Sequence, residues 1–312
     1  MKACVTGAAG FVGSVLCRRL VTSGVEVAAV DNLSYGGHGL LGLAGRPGFS
    51  FYRCKGPAVP EAAAHGADLF VHLAALVGYP ACHADPALAR AINVDGTRAV
   101  MQTAAGRPIL FASTADLYAP RQDRAVVERD DCRPASEYAA TKFEAESLLL
   151  HEYPAGVALR FVTGCGVSSH LRLDLLFNDC CLRARRDRYL LVYERGFLRN
   201  FVHVEDMAEA IALAVARWPD LRARPWNVAG HESMVLTKGE LAEAIGRRTG
   251  ARIYYAGEGA GEDVDRRNYR VDGSAFRAAT GYAPGWTLDA ALDQMIAASE
   301  LLEAPDGRRR TG

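Results

Sequence analysis

The sequence contains very little lysine. Among its 36 basic residues only Lys2, Lys55, Lys142 and Lys238 are lysines, and the others are arginines. The acidic residues also number 36, so the formal net charge is zero, and half of the 312 residues are apolar. A balanced charge argues against nucleic acid and against an anionic membrane surface as partners. We therefore expect a small ligand, and each of the few lysines is a candidate functional residue.

Long apolar runs and paired cysteines are also missing. A membrane-spanning helix needs about 20 predominantly apolar residues, and no segment approaches that length. The short apolar stretch after Lys2 turns polar at Thr6, which is not the pattern of a secretion signal. The eight cysteines are scattered without a CxxC pair, as in proteins that keep their thiols reduced. We expect a cytoplasmic protein with no membrane partner, no disulfide framework and no metal site.

Short apolar segments alternate with stretches of helix length through the first half of the chain. The predicted strands are residues 3–5, 26–30, 49–52, 69–73, 109–112 and 157–161. Strands that alternate with helices predict a parallel sheet. Continuous apolar runs, such as residues 69–73, are typical of strands that helices cover on both faces. The sequence therefore predicts an α/β fold with a doubly wound parallel sheet of the Rossmann type.

A glycine-rich turn follows the first predicted strand and leads into a helical pattern. The turn consists of Thr6, Gly7, Ala8, Ala9, Gly10, Phe11, Val12 and Gly13. In a dinucleotide site, Gly7 permits the tight turn, Gly10 lets the backbone approach a pyrophosphate, and Gly13 lets the helix pack closely on the strand. The positive helix N-terminus then faces the phosphates. The context of strand, turn and helix favours a dinucleotide site over a purely structural turn.

The second predicted strand ends in Asp31 and Asn32. At this position a carboxylate can accept hydrogen bonds from the ribose hydroxyls of an adenosine, and it repels a 2′-phosphate. The pattern therefore predicts NAD rather than NADP as the cofactor. The alternative is that Asp31 only caps a turn.

A tyrosine and a lysine form a candidate catalytic pair. Tyr138 and Lys142 lie four residues apart in a helical pattern that Ser136 can cap, so both side chains share one helix face. A phenol with an ordinary pKa of about 10 is a poor base near neutral pH. A nearby ammonium, a helix N-terminus and a cationic ligand each stabilise the phenolate. Tyr138 is therefore a candidate acid/base, and the alternative is a solvated surface pair.

Polar side chains follow the predicted strand 109–112. Thr114 and Asp116 come directly after it, at the edge where doubly wound sheets bind their ligands. Thr114 can donate a hydrogen bond to a reacting hydroxyl or ketone, and Asp116 can accept one. The alternative is that Thr114 only satisfies a loop amide.

Together these motifs resemble the extended short-chain dehydrogenases/reductases, in the NAD-dependent nucleotide-sugar epimerase/dehydratase group. The family's TGxxGxxG, HLAA, NVxGT and YxxxK motifs correspond to residues 6–13, 72–75, 93–97 and 138–142. The cofactor-binding residues that the resemblance implies are Gly7, Gly10, Phe11, Val12, Gly13, Asp31, Asn32, Leu73, Ala74, Ala75, Asn93, Tyr138 and Lys142.

The resemblance also implies a nucleoside-diphosphate sugar as the substrate. Arg199 lies in the stretch that resembles the family's RDFVHVDD segment, whose arginine commonly grips the diphosphate, and Arg267 lies in a second such stretch. Asn178 falls where the family places an asparagine near the diphosphate. Val77 and Thr114 are expected at the sugar. Arginine suits the role because its planar fork pairs bidentately with phosphate, although surface salt bridges are the alternative.

The family implies oxidation of the sugar at C4 to a transient 4-keto sugar, with Tyr138 as the base, Lys142 beside it and Thr114 orienting the hydroxyl. We expect a 4-epimerase most simply, because Ala115 stands where some dehydratases have an acid. The first alternative is a 4,6-dehydratase or decarboxylase that uses Asp116 as acid/base. A ketoreductase that consumes free cofactor and a non-catalytic NAD sensor are further alternatives.

The arginine-rich segment after residue 165 breaks the alternation of strands and helices. We assign residues 1–166, with about 200–225, to an NAD-binding domain, and about 167–199 with 226–304 to a smaller interleaved substrate-binding domain. Residues 305–312, rich in glycine and arginine, are predicted to be a frayed tail. The family also implies a homodimer, formed through helices near residues 88–104 and 137–152.

Overall fold

The structure is a computed structural model that describes residues 1–54, 56, 58–257 and 268–303. Over these ranges the strands are Lys2–Thr6 (β1), Glu26–Asp31 (β2), Phe49–Arg53 (β3), Leu69–His72 (β4), Ile109–Thr114 (β5), Gly156–Phe161 (β6), Thr163–Cys165 (β7), Tyr189–Val192 (β8), Leu198–His203 (β9), Arg224–Val228 (β10), Val235–Thr237 (β11) and Arg252–Tyr255 (β12).

The helices over the same ranges are Phe11–Thr22 (α1), Glu61–Ala64 (α2), Tyr79–Ala84 (α3), Pro86–Arg90 (α4), Gly96–Ala104 (α5), Glu137–Glu152 (α6), Leu176–Asp187 (α7), Val204–Leu221 (α8), Lys238–Thr249 (α9), Ser274–Thr280 (α10) and Leu288–Glu303 (α11). A π-helical turn, Ala91–Asp95, precedes α5, and a 3-10 turn, Ala115–Leu117, follows β5. None of these helices is long and apolar enough to span a membrane.

Seven of the described strands form one parallel sheet in the order β3-β2-β1-β4-β5-β6-β10. All six strands predicted from the sequence are in it, and the predicted Rossmann-type fold is confirmed. The sheet extends past residue 225, where the sequence analysis begins the second domain, because β10 lies at its edge. Pro225 suits that place, since proline in a strand is confined to edges.

Alternate residues of the strands enter two different hydrophobic cores, one on each face of the sheet. In β1, Ala3 and Val5 belong to the core that α1 and α8 cover, whereas Cys4 belongs to the core that α5 and α6 cover. This is the two-residue period of a strand that is buried on both sides. The sheet is therefore doubly wound, as predicted.

The smaller layer has its own core. A three-stranded sheet, β11-β9-β7, and a parallel pair, β12-β8, pack with α7, α9 and α11 around buried residues that include Phe177, Phe201 and Ile245. β9 links this layer to the main core, because Val202 packs there. The crevice between the two layers lies at the carboxyl ends of β5 and β6, since residues 115–116 and 162–163 line it together with β9. Open α/β sheets bind their ligands at this edge.

Candidate active site

The glycine turn brings α1 into direct contact with β1 and with the residues after β4. Gly7 has φ of 69°, and a Cβ there would stand 2.7 Å from the backbone nitrogen of Ala74. A Cβ on Gly13 would stand 2.2 Å from the carbonyl oxygen of Gly7. Gly10 is the N-cap of α1 and has no side chain to cover the first amides of the helix. These residues fit a pyrophosphate, because the helix N-terminus stays open to a bound anion.

Asp31 shapes the loop after β2, at the carboxyl edge of the sheet. Its Oδ2 accepts a hydrogen bond from the backbone N–H of Ala9 at 2.9 Å, and its Oδ1 accepts one from Leu33 at 2.8 Å. Each carboxylate oxygen keeps a second lone pair for a ribose hydroxyl. Asn32 is exposed, and its Oδ1 accepts from the N–H of Ser34 at 2.9 Å. Asp31 therefore caps the turn, and its role at the ribose stays a prediction.

His72, which the sequence analysis notes only as part of a motif, ties three elements together behind the crevice. Its Nδ1 lies 2.7 Å from Thr6 Oγ1, and its Nε2 lies 3.2 Å from Thr97 Oγ1. Burial lowers the pKa of His72 to about 3, so the ring is neutral at physiological pH. The Thr6 hydroxyl also accepts the backbone N–H of Ala74 at 3.3 Å. This network fixes the half-buried residues 73–75, the expected cofactor contacts.

Asn93 has a structural task that the motif did not reveal. Its Oδ1 accepts the backbone N–H of Leu76 at 2.8 Å, and its Nδ2 donates to the Leu76 carbonyl at 3.0 Å and to Thr141 Oγ1 at 2.9 Å. Both amide hydrogens are thus used within the protein. Asn93, expected to bind the cofactor, positions the loop that contains Val77 against α6, the helix that carries Tyr138.

Tyr138 lies half-buried in the first turn of α6, beside the end of β5. Burial and the negative charge of Asp116 raise the pKa of Tyr138, whereas the positive charge of Arg172 and a hydrogen bond with the Thr114 hydroxyl lower it. Burial has the largest effect, so the phenol carries its proton at neutral pH. Sequence-predicted Tyr138, Thr114 and Asp116 therefore share one site. Tyr138 can act as a base only when nearby positive charge lowers the pKa of its phenol.

Arg172 is a site residue that sequence reasoning missed. Its guanidinium forms a bidentate ion pair with Asp174, with distances of 2.6 Å and 2.5 Å, and acts on the phenol of Tyr138. Asn178 holds this segment, since its Nδ2 donates to the carbonyls of Arg172 at 2.9 Å and Gly166 at 3.1 Å. Asn178, expected near the diphosphate, thus has both amide hydrogens committed to the backbone. Nothing in the arginine-rich sequence singled out Arg172.

Lys142 is almost fully buried, with 3% of its surface exposed. Its Nζ lies 3.8 Å from the centre of the Phe111 ring, a cation–π contact. Burial lowers the pKa of Lys142 to about 7, and the negative charge of Glu146 opposes that shift. Glu146 accepts a hydrogen bond from Ser113 Oγ at 2.5 Å and pairs with Arg160. The second member of the expected pair is therefore held in the site by an aromatic ring and a nearby carboxylate.

Arg199 and Asp116 line one small cavity between the two layers. Arg199 is 2% exposed on β9, and its guanidinium donates to the Leu198 carbonyl at 2.9 Å. The cavity has a volume of about 10 Å³, and its other lining residues are Ala115, Val162, Thr163, Leu198, Asn200, Tyr269 and Val271. The structure thus brings Arg199, the expected diphosphate residue, close to Asp116. Arg267 lies outside the described residues, so its expected role stays a prediction.

Residues 3–229 match the sequence profile of the NAD dependent epimerase/dehydratase family. This match covers most of the chain. The chain belongs to that family. The resemblance predicted from the sequence motifs is confirmed, and so is NAD as the cofactor of this enzyme.

Similar proteins include both named activities of the family. The enzyme is 29% identical, over 94% of its length and 92% of the relative's, to a dTDP-glucose 4,6-dehydratase of Streptomyces griseus. It is also 29% identical to a UDP-glucose 4-epimerase of Streptomyces lividans, over 81% and 82% of the two chains. Its fold matches that of a UDP-glucuronic acid 4-epimerase of Bacillus cereus with a TM-score of 0.85, at 22% identity over 97% of this chain and 100% of the other.

Proposed function

We propose that this enzyme oxidises and re-reduces C4 of a nucleoside-diphosphate sugar through a transient 4-keto sugar, most simply as a 4-epimerase. The observation that carries this proposal is the position of Tyr138 at the carboxyl end of β5, where the Thr114 hydroxyl lowers the pKa of its phenol, one helical turn from Lys142. The substrate class is supported by the relatives, which include an epimerase and a dehydratase named for nucleotide sugars.

Each residue of this group has a distinct role in the proposal. Tyr138 takes the proton of the C4 hydroxyl, Thr114 orients that hydroxyl, and Lys142 in its protonated form supplies positive charge one helical turn from the phenol. When bound, NAD supplies the acceptor and donor of the C4 hydride. The glycine turn, Asp31 and residues 73–75 would hold it, with Asp31 on the adenosine ribose.

The diphosphate is proposed to lie against Arg199, with Val77 on the sugar side. Arg199 is buried, so its charge is weakly screened and favours a ligand with negative charge. Asn178 contributes indirectly, by fixing the segment that presents Arg172 to the sugar end. Arg267 is proposed as a second phosphate contact on the strength of its motif alone.

The alternative activity depends on Asp116. Its charge acts on Tyr138, so it lies close enough to the reacting sugar to serve as a second acid/base. In a dehydratase or decarboxylase a carboxylate of this kind assists the later step, such as removal of the C5 proton. Epimerisation is the simpler proposal, because Ala115 beside Asp116 offers no second acidic group.

The test is proton NMR of the NAD-loaded enzyme in deuterated water with UDP-, dTDP-, GDP- and CDP-hexoses. A product of unchanged mass with no deuterium at C5 is expected for a 4-epimerase. Deuterium at C5 with loss of water or carbon dioxide would instead indicate a dehydratase or decarboxylase that uses Asp116 as acid/base. A panel left wholly unchanged would contradict the proposal.

We also propose that the enzyme is a homodimer formed through α5 and α6. These helices border an open cavity lined by Val94, Arg98, Glu144, Ser147, Leu148, His151 and Glu152. Light scattering after size-exclusion chromatography tests this, and a mass of one chain at micromolar concentration would contradict it.

A further inference from the structure

The segment 268–271 is fixed to β9 on both sides of Arg199. Asn268 Oδ1 accepts the backbone N–H of Leu198 at 3.0 Å, and Asn200 Nδ2 donates to the Tyr269 carbonyl at 2.6 Å. The residues before and after Arg199 are therefore both tied to this segment. A displacement of the Arg199 backbone must move Tyr269 or break these bonds.

The same segment is bonded to the turn between Thr114 and Asp116. The hydroxyl of Tyr269 donates to the carbonyl oxygen of Ala115 at 2.7 Å, and the backbone N–H of Tyr118 donates to that oxygen at 3.1 Å. The Tyr269 side chain is 4% exposed, so this hydrogen bond is shielded from water. A buried carbonyl oxygen that loses one of its donors costs free energy. We therefore expect the Ala115 peptide to reorient toward another donor.

The Ala115 carbonyl sets the orientation of the two neighbouring peptides. One of these carries Thr114, whose hydroxyl acts on the pKa of Tyr138, and the other leads to Asp116, whose N–H donates back to Thr114 Oγ1 at 3.1 Å. A small rotation of these peptides moves the Thr114 and Asp116 side chains relative to Tyr138. Displacements on the order of 1 Å in such groups cost about a hundred-fold in rate.

We infer that Tyr269 is a positioning residue that couples the diphosphate end of the site, at Arg199, to the acid/base end, at Thr114 and Asp116. This inference rests on the proposed function, since it takes Arg199 as the diphosphate contact. Tyr269 is assigned no acid or base role. It transmits the position of β9 to the turn Ala115–Leu117 through one hydroxyl.

The chain offers a matched control for removal of that hydroxyl. Tyr282 is also buried, with 2% exposed, and among the described residues its hydroxyl has no hydrogen-bond partner. Tyr269→Phe and Tyr282→Phe therefore remove the same atom from equally buried rings. Only Tyr269→Phe releases the Ala115 carbonyl.

With a substrate that the wild type converts, we expect Tyr269→Phe to lower kcat by about ten-fold or more, with KM within about two-fold and NAD content unchanged. Tyr282→Phe leaves kcat unchanged. A loss confined to kcat separates positioning from a general loss of folded protein, which melting temperature measures in parallel. A kcat for Tyr269→Phe within about two-fold of the wild type overturns the inference.

Amide hydrogen exchange on the NAD-loaded enzyme tests the coupling without turnover. In the wild type, UDP or dTDP is expected to slow exchange in β9 and in residues 115–118, whereas in Tyr269→Phe it slows exchange in β9 alone. Slowing at 115–118 that persists in Tyr269→Phe overturns the inference.

The two proposals fail differently. If neither nucleotide alters β9 and no sugar is converted, the proposed function fails. The positioning role of Tyr269 is then tested by amide hydrogen exchange in the absence of nucleotide. Faster exchange at 115–118 in Tyr269→Phe than in Tyr282→Phe supports it, and equal rates overturn it.

Discussion

Glu146 and Arg160 form a buried bidentate ion pair behind the helix that carries Tyr138 and Lys142. Arg160 Nε–H donates to Glu146 Oε1 at 3.0 Å, and Arg160 Nη2–H donates to the same carboxylate at 2.5 Å. The remaining nitrogen, Nη1, donates to the Tyr118 hydroxyl at 2.8 Å. This pair ties α6 to β6 and keeps a negative charge one helical turn from Lys142.

Glu146→Gln is expected to destabilise the protein by about 3 kcal/mol or more, because it leaves the Arg160 charge buried without its partner. Chemical denaturation measures the loss. Glu144→Gln is the matched control on the same helix, since Glu144 pairs with Arg90 at the exposed surface, where such pairs contribute little. Equal effects of the two substitutions would contradict this account of the pair.

Lys142 gives the stability of the NAD-free protein a defined pH dependence. Burial lowers the pKa of Lys142 to about 7, against about 10.4 in the unfolded chain. Between these values the unfolded chain binds the proton and the folded protein does not, so stability rises with pH. Relative to Lys142→Met, the free energy of unfolding of the wild type should increase by about 1 kcal/mol per pH unit from pH 7.5 to 9. A difference that stays flat with pH would show that this lysine titrates normally.

Gly13→Ala is expected to abolish NAD retention and to destabilise the protein by about 3 kcal/mol or more. The added Cβ would stand 2.2 Å from the Gly7 oxygen and 2.8 Å from the Ala8 Cα, so backbone has to move. Gly42→Ala is the control, because a Cβ there meets nothing within 4 Å. NAD released by denaturation is quantified for both variants. Retention of NAD by Gly13→Ala would show that the turn does not hold the cofactor as we propose.

Tyr138→Phe should lower kcat by about a hundred-fold or more, because it removes the group that exchanges the C4 proton. NAD content and melting temperature should stay close to those of the wild type. Tyr255→Phe serves as the control, since its hydroxyl bonds Glu243 on the surface of the smaller layer. A Tyr138→Phe enzyme with near-normal kcat would assign the acid/base role to another residue.

The sequence predicted the parts of the molecule whose signals are local. Gly7, Gly10 and Gly13 follow one strand directly, and Tyr138 and Lys142 lie on one helix. A short stretch of sequence is therefore enough to predict how these residues are arranged. The edge strand β10 was not among the predicted strands, because Pro225 and the arginines around it hide a strand that is only half apolar.

Contacts between distant parts of the chain could not be predicted from one sequence. The bond from Tyr269 to Ala115 joins residues 154 positions apart, and His72 meets Thr6 across 66 positions. Neither tyrosine nor histidine carries a periodic pattern that marks such a partner. Arg172 is hidden for the same reason, since its effect on Tyr138 arises only when its loop meets the first turn of α6 in the fold.

In the proposed reaction the sugar is oxidised at C4 and reduced again, and a substrate labelled with deuterium at C4 reports both steps. In ordinary water, a nucleoside-diphosphate hexose converted by this enzyme should give a C4 epimer that keeps the deuterium at C4, observed by deuterium and proton NMR. Deuterium at C6 would show a dehydratase. A product formed with the label untouched and its C4 configuration unchanged would contradict the account.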